Sequence, residues 1–440
     1  MASAVTRFQK GHSGRRFLFL QGPHGPFFRK LAGMLRETGA DVWRVGFNAG
    51  DRAFWGRAPG YLAFQDDLRK WPQTCKALLQ EKHITDIVLY GDTRPVHAEA
   101  IKLARTMGIC IHVFEEGYMR PYWVTYERDG SNGHSALMRI DVGEMRDRLA
   151  RSDIDMPTPP AQWGDMRQHI FYGAAYHWFV MFWNHRYPSF KTHRALPVRQ
   201  EAALYTKRLL LMPFLALERR WRTRRIKAGG YPYHIALLQL EHDASFQAHS
   251  PFATMQEFIS LVVAGFADGA PSHHHLVFKA HPLENGRAPL RRLIEQEAQK
   301  HGIRNRVHYL RGGKLAQVLT EARSAVTVNS TAGQQALWRG IPLKAFGTAV
   351  YNKPEFISDQ PLAAFFANPK RPDAAAYRDY RQFLLETSQV PGGFYSSSGR
   401  RQLLRMVVDM MLQEASPYDA LVPTRQKPPA MRVVGRGSLD

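Results

Sequence analysis

Apolar positions along this chain follow two alternating periods. Short continuous apolar runs occupy Phe17–Leu20, Asp41–Phe47, Asp86–Tyr90 and Ile109–Phe114. Between them apolar residues recur at helical spacing, as Leu31, Met34 and Leu35 do, over 27–38, 66–81 and 94–107. Short runs bounded by turn residues predict buried strands, and strands alternating with amphipathic helices predict βαβ units in a parallel sheet. The pattern resumes at Tyr233 with strands in YHIALLQLEHD, HLVFKAHP, RVHYL, SAVTVNS and IPLKAFG. Helices are predicted between them at 251–267, 287–301, 314–322 and 332–338, and a last one near 398–414. The two runs are separated by a Pro-rich connection, MPTPPAQWGD, and by two helical segments rich in aromatic and basic residues. The expected fold class is α/β, with two Rossmann-like domains facing a cleft and a basic aromatic helical insertion. The expected divisions are 1–130, 131–230, 231–378 and 379–440, the last a helix packing back on the first domain plus an irregular tail.

Composition narrows the partners more than the fold. The 440 residues suffice for two or three domains with full cores, and 44% hydrophobic content excludes general disorder. Sixty Lys and Arg against 38 Asp and Glu leave a formal charge of +22, which calls for an anionic partner. Nucleic acid, an anionic membrane surface and a phosphorylated substrate all satisfy that sign. Cys75 and Cys110 lack pairing or zinc spacing and fit buried thiols in a reducing compartment. Phe17–Leu20 is too short for a signal core, and no run approaches the ~20 apolar residues that span a bilayer. The expected location is cytoplasmic, free or on the inner face of a membrane.

In parallel sheets the loops after the strand C-ends form the ligand crevice. Here the first four read QGPHG, NAGD, GDTRP and EEGYMRP. Gln21-Gly22-Pro23-His24-Gly25 fits neither the dinucleotide nor the Walker glycine spacing. In EEGYMRP, Glu115 and Glu116 end a predicted strand, so they point to opposite faces and one of them lines the crevice. A carboxylate there serves as nucleophile or general base. Arg120 stands close enough to hold it ionised or to fork onto a substrate carboxylate, although a surface turn with an ion pair uses the same residues. Lys279 and His281 end another buried strand, with Pro282 keeping His281 extended. Such a pair suits a leaving phosphate. Asn329, Ser330 and Thr331 are helix-capping types; the free N–H groups of the following turn would make an anion site, with Gly333 permitting close approach. Gln239, Glu241, Asp243, Ser245, His249 and Ser250 crowd the loop after Tyr233–Leu238, suiting a nucleotide or a hinge.

Other signals are weaker. Asp153-Ile154-Asp155 has the DxD form of metal-using sugar transferases but sits in the Pro-rich connection. His273–His275 reads as a solvated loop, and Arg311-Gly312-Gly313-Lys314 as a turn before a helix. Trp178, Phe179, Phe182, Trp183 and Tyr187, with Arg186, Lys191 and Arg194, fit a membrane interface, as does 207–227. Aromatics favour the headgroup boundary, and each cation near anionic lipid adds roughly 1 kcal/mol. A stacking groove for single-stranded nucleic acid or plain core are the other readings. Leu and Phe set beside dense Arg suit the interface better, so no nucleic acid partner is expected.

At QGPHGPFF, FNAGD, EEGYMRP, KAHP and NSTAG, in this order, the chain resembles the capsule polysaccharide biosynthesis/export family, and within it the KpsS-type β-Kdo transferases of Gram-negative bacteria. The resemblance covers most of residues 15–400. It implies a retaining, GT-B-like glycosyltransferase that moves the acidic sugar Kdo from CMP-Kdo to a phosphatidylglycerol-type lipid, starting the poly-Kdo linker of a capsule. It also implies no cofactor and no metal, a place on the inner face of the cytoplasmic membrane, and KpsC-type transferases as assembly partners. KpsC enzymes carry an acidic pair, a glycine and an aromatic where Glu115-Glu116-Gly117-Tyr118 stand, with Asp usual in place of Glu116. Retention needs two displacements and a protein nucleophile, for which Glu116 is expected and Glu115 is the alternative. Arg120 would pair with the sugar carboxylate or with the nucleophile, while His281, Ser330 and Thr331 would stabilise the departing cytidylate. Further donor contacts are expected from Lys279, Pro282, Asn329, Gly333, Gln239 and Asp243. Acceptor contacts are expected from Gln21, Gly22, His24, Gly25, Asn48 and Asp51. A transferase using another nucleotide sugar and a non-catalytic export or scaffold protein stand as the alternatives.

Overall fold

The computed structural model describes residues 14–150, 166–190, 198–282, 284, 289–419 and 421. Asp153–Asp155, the rest of the Pro-rich connection, Lys191 and Arg194, and the tail after Leu421 lie outside the described residues.

The N-terminal sheet has seven strands: β1 (Arg16–Phe19), β2 (Asp41–Gly46), β3 (Tyr61–Ala63), β4 (Asp86–Tyr90), β5 (Cys110–Glu116), β6 (Trp123–Arg128) and β12 (Gln389–Pro391). Their order is β12-β6-β5-β4-β1-β2-β3. β1 to β5 run parallel, and β6 turns back antiparallel beside β5. The C-terminal sheet is parallel throughout, in the order β11-β10-β7-β8-β9: β7 (Tyr233–Leu237), β8 (His275–Lys279), β9 (Val307–Leu310), β10 (Ala322–Thr327) and β11 (Leu343–Ala345). Each sheet begins at its middle and builds outward both ways, so its order reverses between β1 and β4 or between β7 and β10. Ligand crevices of open α/β sheets open at such reversals. This is the GT-B-like pair of Rossmann-like halves that the hydrophobic pattern predicts.

Local chemistry explains the elements. Helix Phe27–Glu37 buries Phe27, Leu31 and Leu35, one residue per turn. The predicted 66–81 helix is interrupted: Asp67 caps a 3-10 turn at Leu68–Lys70, and the α-helix Trp71–Glu81 begins with Pro72 in its first turn. Thr254 Oγ1 accepts from Glu257 N while the Glu257 carboxylate accepts from Ala253 N, and this cap moves the next helix start to Met255. The predicted 314–322 helix shrinks to Ala316–Leu319, because β10 starts at Ala322. β6 and β12 were not expected. β6 is the return arm of a hairpin whose turn is the EEGYMRP motif itself, and β12 pairs with β6 from 264 residues away.

The described parts of 131–230, expected as an insertion, pack on both lobes. Helix Met166–Phe182 lies on helix Ala49–Trp55 of the first lobe, where Gly50 leaves room for the Tyr176 ring; a Cβ there would stand 2.5 Å from it. The long helix Val198–Ala228 enters the second lobe, with Ile226 buried beside Tyr233 and Val318. The segment 137–145 joins the lobes: Leu137, Val142 and Met145 share one core with Tyr377, Tyr380 and Phe383. Lys353 is buried at this seam and donates to the carbonyls of Leu137 and Ile140, both at 2.8 Å. Helix Ser397–Leu412 returns to the first lobe, where Leu403, Val407 and Met411 pack with Phe17, Phe19 and Phe27.

Two of the buried polar clusters bear directly on stability. Arg44 and Asp51 are 3% and 1% exposed, and pair at 3.2 Å beneath helix Ala49–Trp55. Asp51 also accepts from Phe47 N at 3.0 Å and Gln21 Nε2 at 3.2 Å. In the second lobe His234 meets Ser324 Oγ at 2.7 Å and His274 at 3.1 Å. Burial, with each facing a neighbouring positive group, lowers His234 to about 3 and His274 to about 4.

Removing one partner of a buried ion pair strands the other. Asp51→Ala is therefore expected to cost about 3–5 kcal/mol in urea unfolding. The histidines bind protons in the unfolded chain below their ordinary pKa of about 6.5 but stay neutral in the fold. Their contribution is complete above that pH and is lost as pH falls from about 6.5 toward 4. The raised carboxyl of Glu127 acts with the opposite sign over this range. The test is therefore a difference: the urea midpoint of His234→Phe should gain on the wild type as pH falls from 7 to 5. A difference that does not change with pH contradicts this.

Candidate functional site

The C-terminal edges of the two sheets meet at the seam. Gln334 of the second lobe donates from Nε2 to the carbonyl of Tyr118 at 3.1 Å, and Tyr377 donates to the Gln334 carbonyl at 3.0 Å. Thr125 Oγ1 bridges the hairpin, accepting from Tyr118 N and donating to the Glu116 carbonyl. Gly117 is required here, since a Cβ would stand 2.2 Å from the Trp123 carbonyl oxygen. The acidic pair is thus fixed at a rigid turn that touches the opposite lobe.

The two acids diverge as strand alternation requires. Glu115 lies under the turn after β4, with Oε2 3.2 Å from where a Cβ on Gly91 would stand. Its Oε1 accepts from Glu116 N at 2.9 Å. Burial, then the charges of Glu116 and of Asp243 across the seam, push its carboxyl up to about 7, against the pull of that N–H and of Arg120. Glu116 turns the other way, within the first lobe. Its Oε1 accepts from Tyr90 OH at 3.1 Å and Tyr395 OH at 3.0 Å. Glu115 is therefore the acid that senses the opposite lobe, through Asp243, whereas the expected Glu116 is bonded within its own. Arg120 donates from Nε to the Gly117 carbonyl, so it braces the turn as well as facing Glu115.

On the second lobe, Lys279 ends β8 only 4% exposed. Its ammonium donates to the Ala280 carbonyl at 3.2 Å, and no ion pair forms on it among the described residues. Burial, and then the Arg219 guanidinium, lower it to about 8. Arg219 comes from the long helix Val198–Ala228 and lies against the Gly312-Gly313 turn after β9. His281 and Pro282 follow β8 at the same edge.

Several expected contacts have other partners. Asn329 and Gln239 are bonded to each other twice, at 2.8 and 2.9 Å, and Asn329 also donates to the Ser245 carbonyl; they tie β7 to β10 at the reversal point. The expected anion site at the next helix is closed. That helix is only Gly333–Leu337, and its leading N–H groups are taken: Ala332 by Ser330 Oγ, Gly333 by the Ser330 carbonyl, Gln334 by the Thr331 carbonyl. Gly333 is glycine because Leu343 and Tyr351 press to within 2.9 Å of a Cβ, not for phosphate approach. Asp243 is exposed at the seam, where it acts on Glu115.

The acceptor-side set is roofed by helix Met166–Phe182. Gln21, Asn48 and Asp51 are buried and bonded to one another, with Asn48 Nδ2 donating to Tyr176 OH at 2.6 Å. Gly22 is needed because the Phe28 ring would lie 2.4 Å from a Cβ, and Gly25, at φ +113°, fits against Tyr172. His24 stacks on Tyr176 with ring centres 4.4 Å apart. These residues build the lobe; a lipid acceptor does not reach Gln21, Asn48 or Asp51 beneath this roof. Sequence reasoning missed Tyr118, Gln334, Arg219, Asp92, Ser131 and His134. All but Arg219, which sits mid-helix, share one signal, position after a strand C-end or at a Gly-rich turn.

Comparison with known proteins follows the same line. Residues 85–395 match the family model described as capsule polysaccharide biosynthesis protein. The chain is 32% identical over 390 residues to the Escherichia coli capsule polysaccharide export protein KpsS, covering 87% of this chain and 97% of that protein. It is also 32% identical over 391 residues to the Neisseria meningitidis serogroup B capsule polysaccharide modification protein LipB, covering 87% and 92%. Among solved structures, the Thermosulfurimonas dismutans KpsC β-Kdo 2,7 transferase aligns with a TM-score of 0.39 and 14% identity, covering 83% of this chain and 99% of that one. Both the motif order and the length of the match place the chain in the capsule polysaccharide biosynthesis family.

Proposed function

We propose that the protein is a retaining glycosyltransferase that moves Kdo from CMP-Kdo to a phosphatidylglycerol-type lipid on an anionic membrane surface, beginning a capsule linker. The observation that carries this reading is the acid at the end of β5, which meets Asp243 of the opposite lobe; on that lobe a buried lysine, with no ion pair among the described residues, ends β8. Capsule family membership and the resemblance to KpsS-type transferases supply the sugar and the lipid.

In the first displacement Glu115 attacks the anomeric carbon as the bond to the phosphate oxygen breaks and cytidylate leaves with the electron pair. Lys279 and Arg219 offset that charge, with His281 beside them. Cytidylate leaves as a monophosphate, whose charge these side chains can meet without a metal. In the second displacement a lipid hydroxyl takes the carbon from Glu115, and the configuration is retained. Arg120 faces Glu115, where its charge would favour the ionised carboxylate before the first displacement and as it is released in the second.

Membrane attachment falls to the surfaces left apolar. Phe214, Leu217 and Trp221 recur along one face of the long helix at 70%, 66% and 57% exposure, with Arg220, Arg224 and Arg225 exposed beside them. Phe171, Phe182 and Trp183 are likewise exposed at and just beyond helix Met166–Phe182. Among the described residues no helix is long and apolar enough to cross a membrane. An apolar stripe beside cations suits the headgroup boundary of an anionic leaflet.

Denaturing mass spectrometry of enzyme with CMP-Kdo should show a Kdo adduct that Glu115→Gln abolishes; an adduct lost only in Glu116→Gln returns the role to Glu116. Attack requires ionised Glu115, so kcat/KM should rise with pH up to about 7. Phosphate binding requires charged Lys279, so it should fall again above about 8. A profile flat from pH 6 to 9 contradicts both assignments. Replacing Phe214, Leu217 and Trp221 together by Ser should weaken flotation with phosphatidylglycerol vesicles at least tenfold, with an unchanged unfolding midpoint.

A further inference from the structure

Beside the acid pair lies a second polar group that straddles the seam. Asp92 follows Gly91, the residue against which Glu115 packs. It is 4% exposed, and its Oδ2 accepts from Ser131 N at 2.9 Å and from His134 Nδ1 at 3.1 Å. A carboxylate on Nδ1 fixes the tautomer, leaving the lone pair of His134 on Nε2. The His134 ring is half exposed at the seam, and its edge meets His249 of the second lobe with ring centres 4.8 Å apart at 78°. The contact is close by construction: a Cβ on Gly133 would stand 2.5 Å from His249 Nδ1. Asp92 Oδ1, Ser131 Oγ and His249 Nε2 are buried with no hydrogen-bond partner among the described residues. Three uncompensated polar atoms on the residues of one interlobe joint mark a site that a hydroxylated ligand completes.

The same segment of the second lobe carries both facing groups, Asp243 toward Glu115 and His249 toward His134. Acid and imidazole therefore share one wall-to-wall gap. We infer that His134 is the general base for the acceptor hydroxyl, with Asp92 as its positioning residue and His249 closing the site from the opposite lobe. This rests on the double-displacement reading above. In the second displacement the acceptor oxygen bonds to the anomeric carbon as the bond from that carbon to Glu115 breaks. The Glu115 carboxylate keeps the electron pair, and the hydroxyl proton passes to His134 Nε2. Asp92 stabilises the imidazolium, which then returns its proton to water.

The test separates the half-reactions, using CMP-Kdo alone for adduct formation and phosphatidylglycerol vesicles for transfer. His134→Ala and His134→Gln should form adduct within threefold of the wild-type rate, which also reports an intact fold. Transfer should fall about 100-fold, so adduct accumulates, and added imidazole should restore transfer in His134→Ala. Asp92→Asn should slow transfer with the same accumulation and gain nothing from imidazole. Adduct formation and transfer falling together, or transfer unchanged in His134→Ala, overturns the base assignment. Wild-type enzyme that yields lipid product with no adduct instead contradicts the double displacement on which the role rests.

Discussion

The arrangement depends on a buried ammonium and an amide that hold two sheets edge to edge. Lys353 satisfies the carbonyls of Leu137 and Ile140, and Gln334 satisfies that of Tyr118. Both donors belong to the second lobe; Tyr118 lies in the β5–β6 turn of the first, and Leu137 and Ile140 in the segment that leaves it. Backbone carbonyls buried without partners are costly, so these bonds and the aromatic core around them fix where the β5–β6 turn sits relative to β7 and β10. Without that, an acid at the end of one sheet and a lysine at the end of another would be unrelated surface features.

Given the seam, elementary strand geometry does the rest. Successive side chains leave a strand on opposite faces, so consecutive glutamates cannot share one environment. One is gripped by two tyrosine hydroxyls inside its own lobe. The other is shut under Gly91 and opposed by Asp243, and its proton affinity rises accordingly. Burial acts with the opposite sign on Lys279, which loses proton affinity. Both groups are thus moved toward neutrality from opposite directions, so ionised Glu115 and charged Lys279 coexist best in a narrow window between about pH 7 and 8.

The sheets were legible in the sequence because their signal is local. Strands such as Ile111–Phe114 and the one-per-turn residues Leu31 and Leu35 lie within a few positions of one another, and the crevice loops follow from strand order. The roof over the acceptor side was not legible. Asn48 meets Tyr176 across 128 residues, and the 166–182 helix carries aromatics around its circumference, so no stripe announces which side is buried. Asp92 likewise finds Ser131 and His134 at separations of 39 and 42 residues, through a Gly-rich turn that reads as a linker. Asn329 and Gly333 show a different limit. Their residue types suit both phosphate binding and tight packing, and only the partners, Gln239 and Tyr351, decide between them.

The central claim is group transfer from a cytidylate-linked sugar to lipid. Its most direct measurement follows free CMP and lipid mass together after mixing the full-length protein, CMP-Kdo and phosphatidylglycerol vesicles. The account predicts one CMP released for each Kdo gained by the lipid. Vesicle binding with no lipid product, or CMP released without lipid gain, contradicts it.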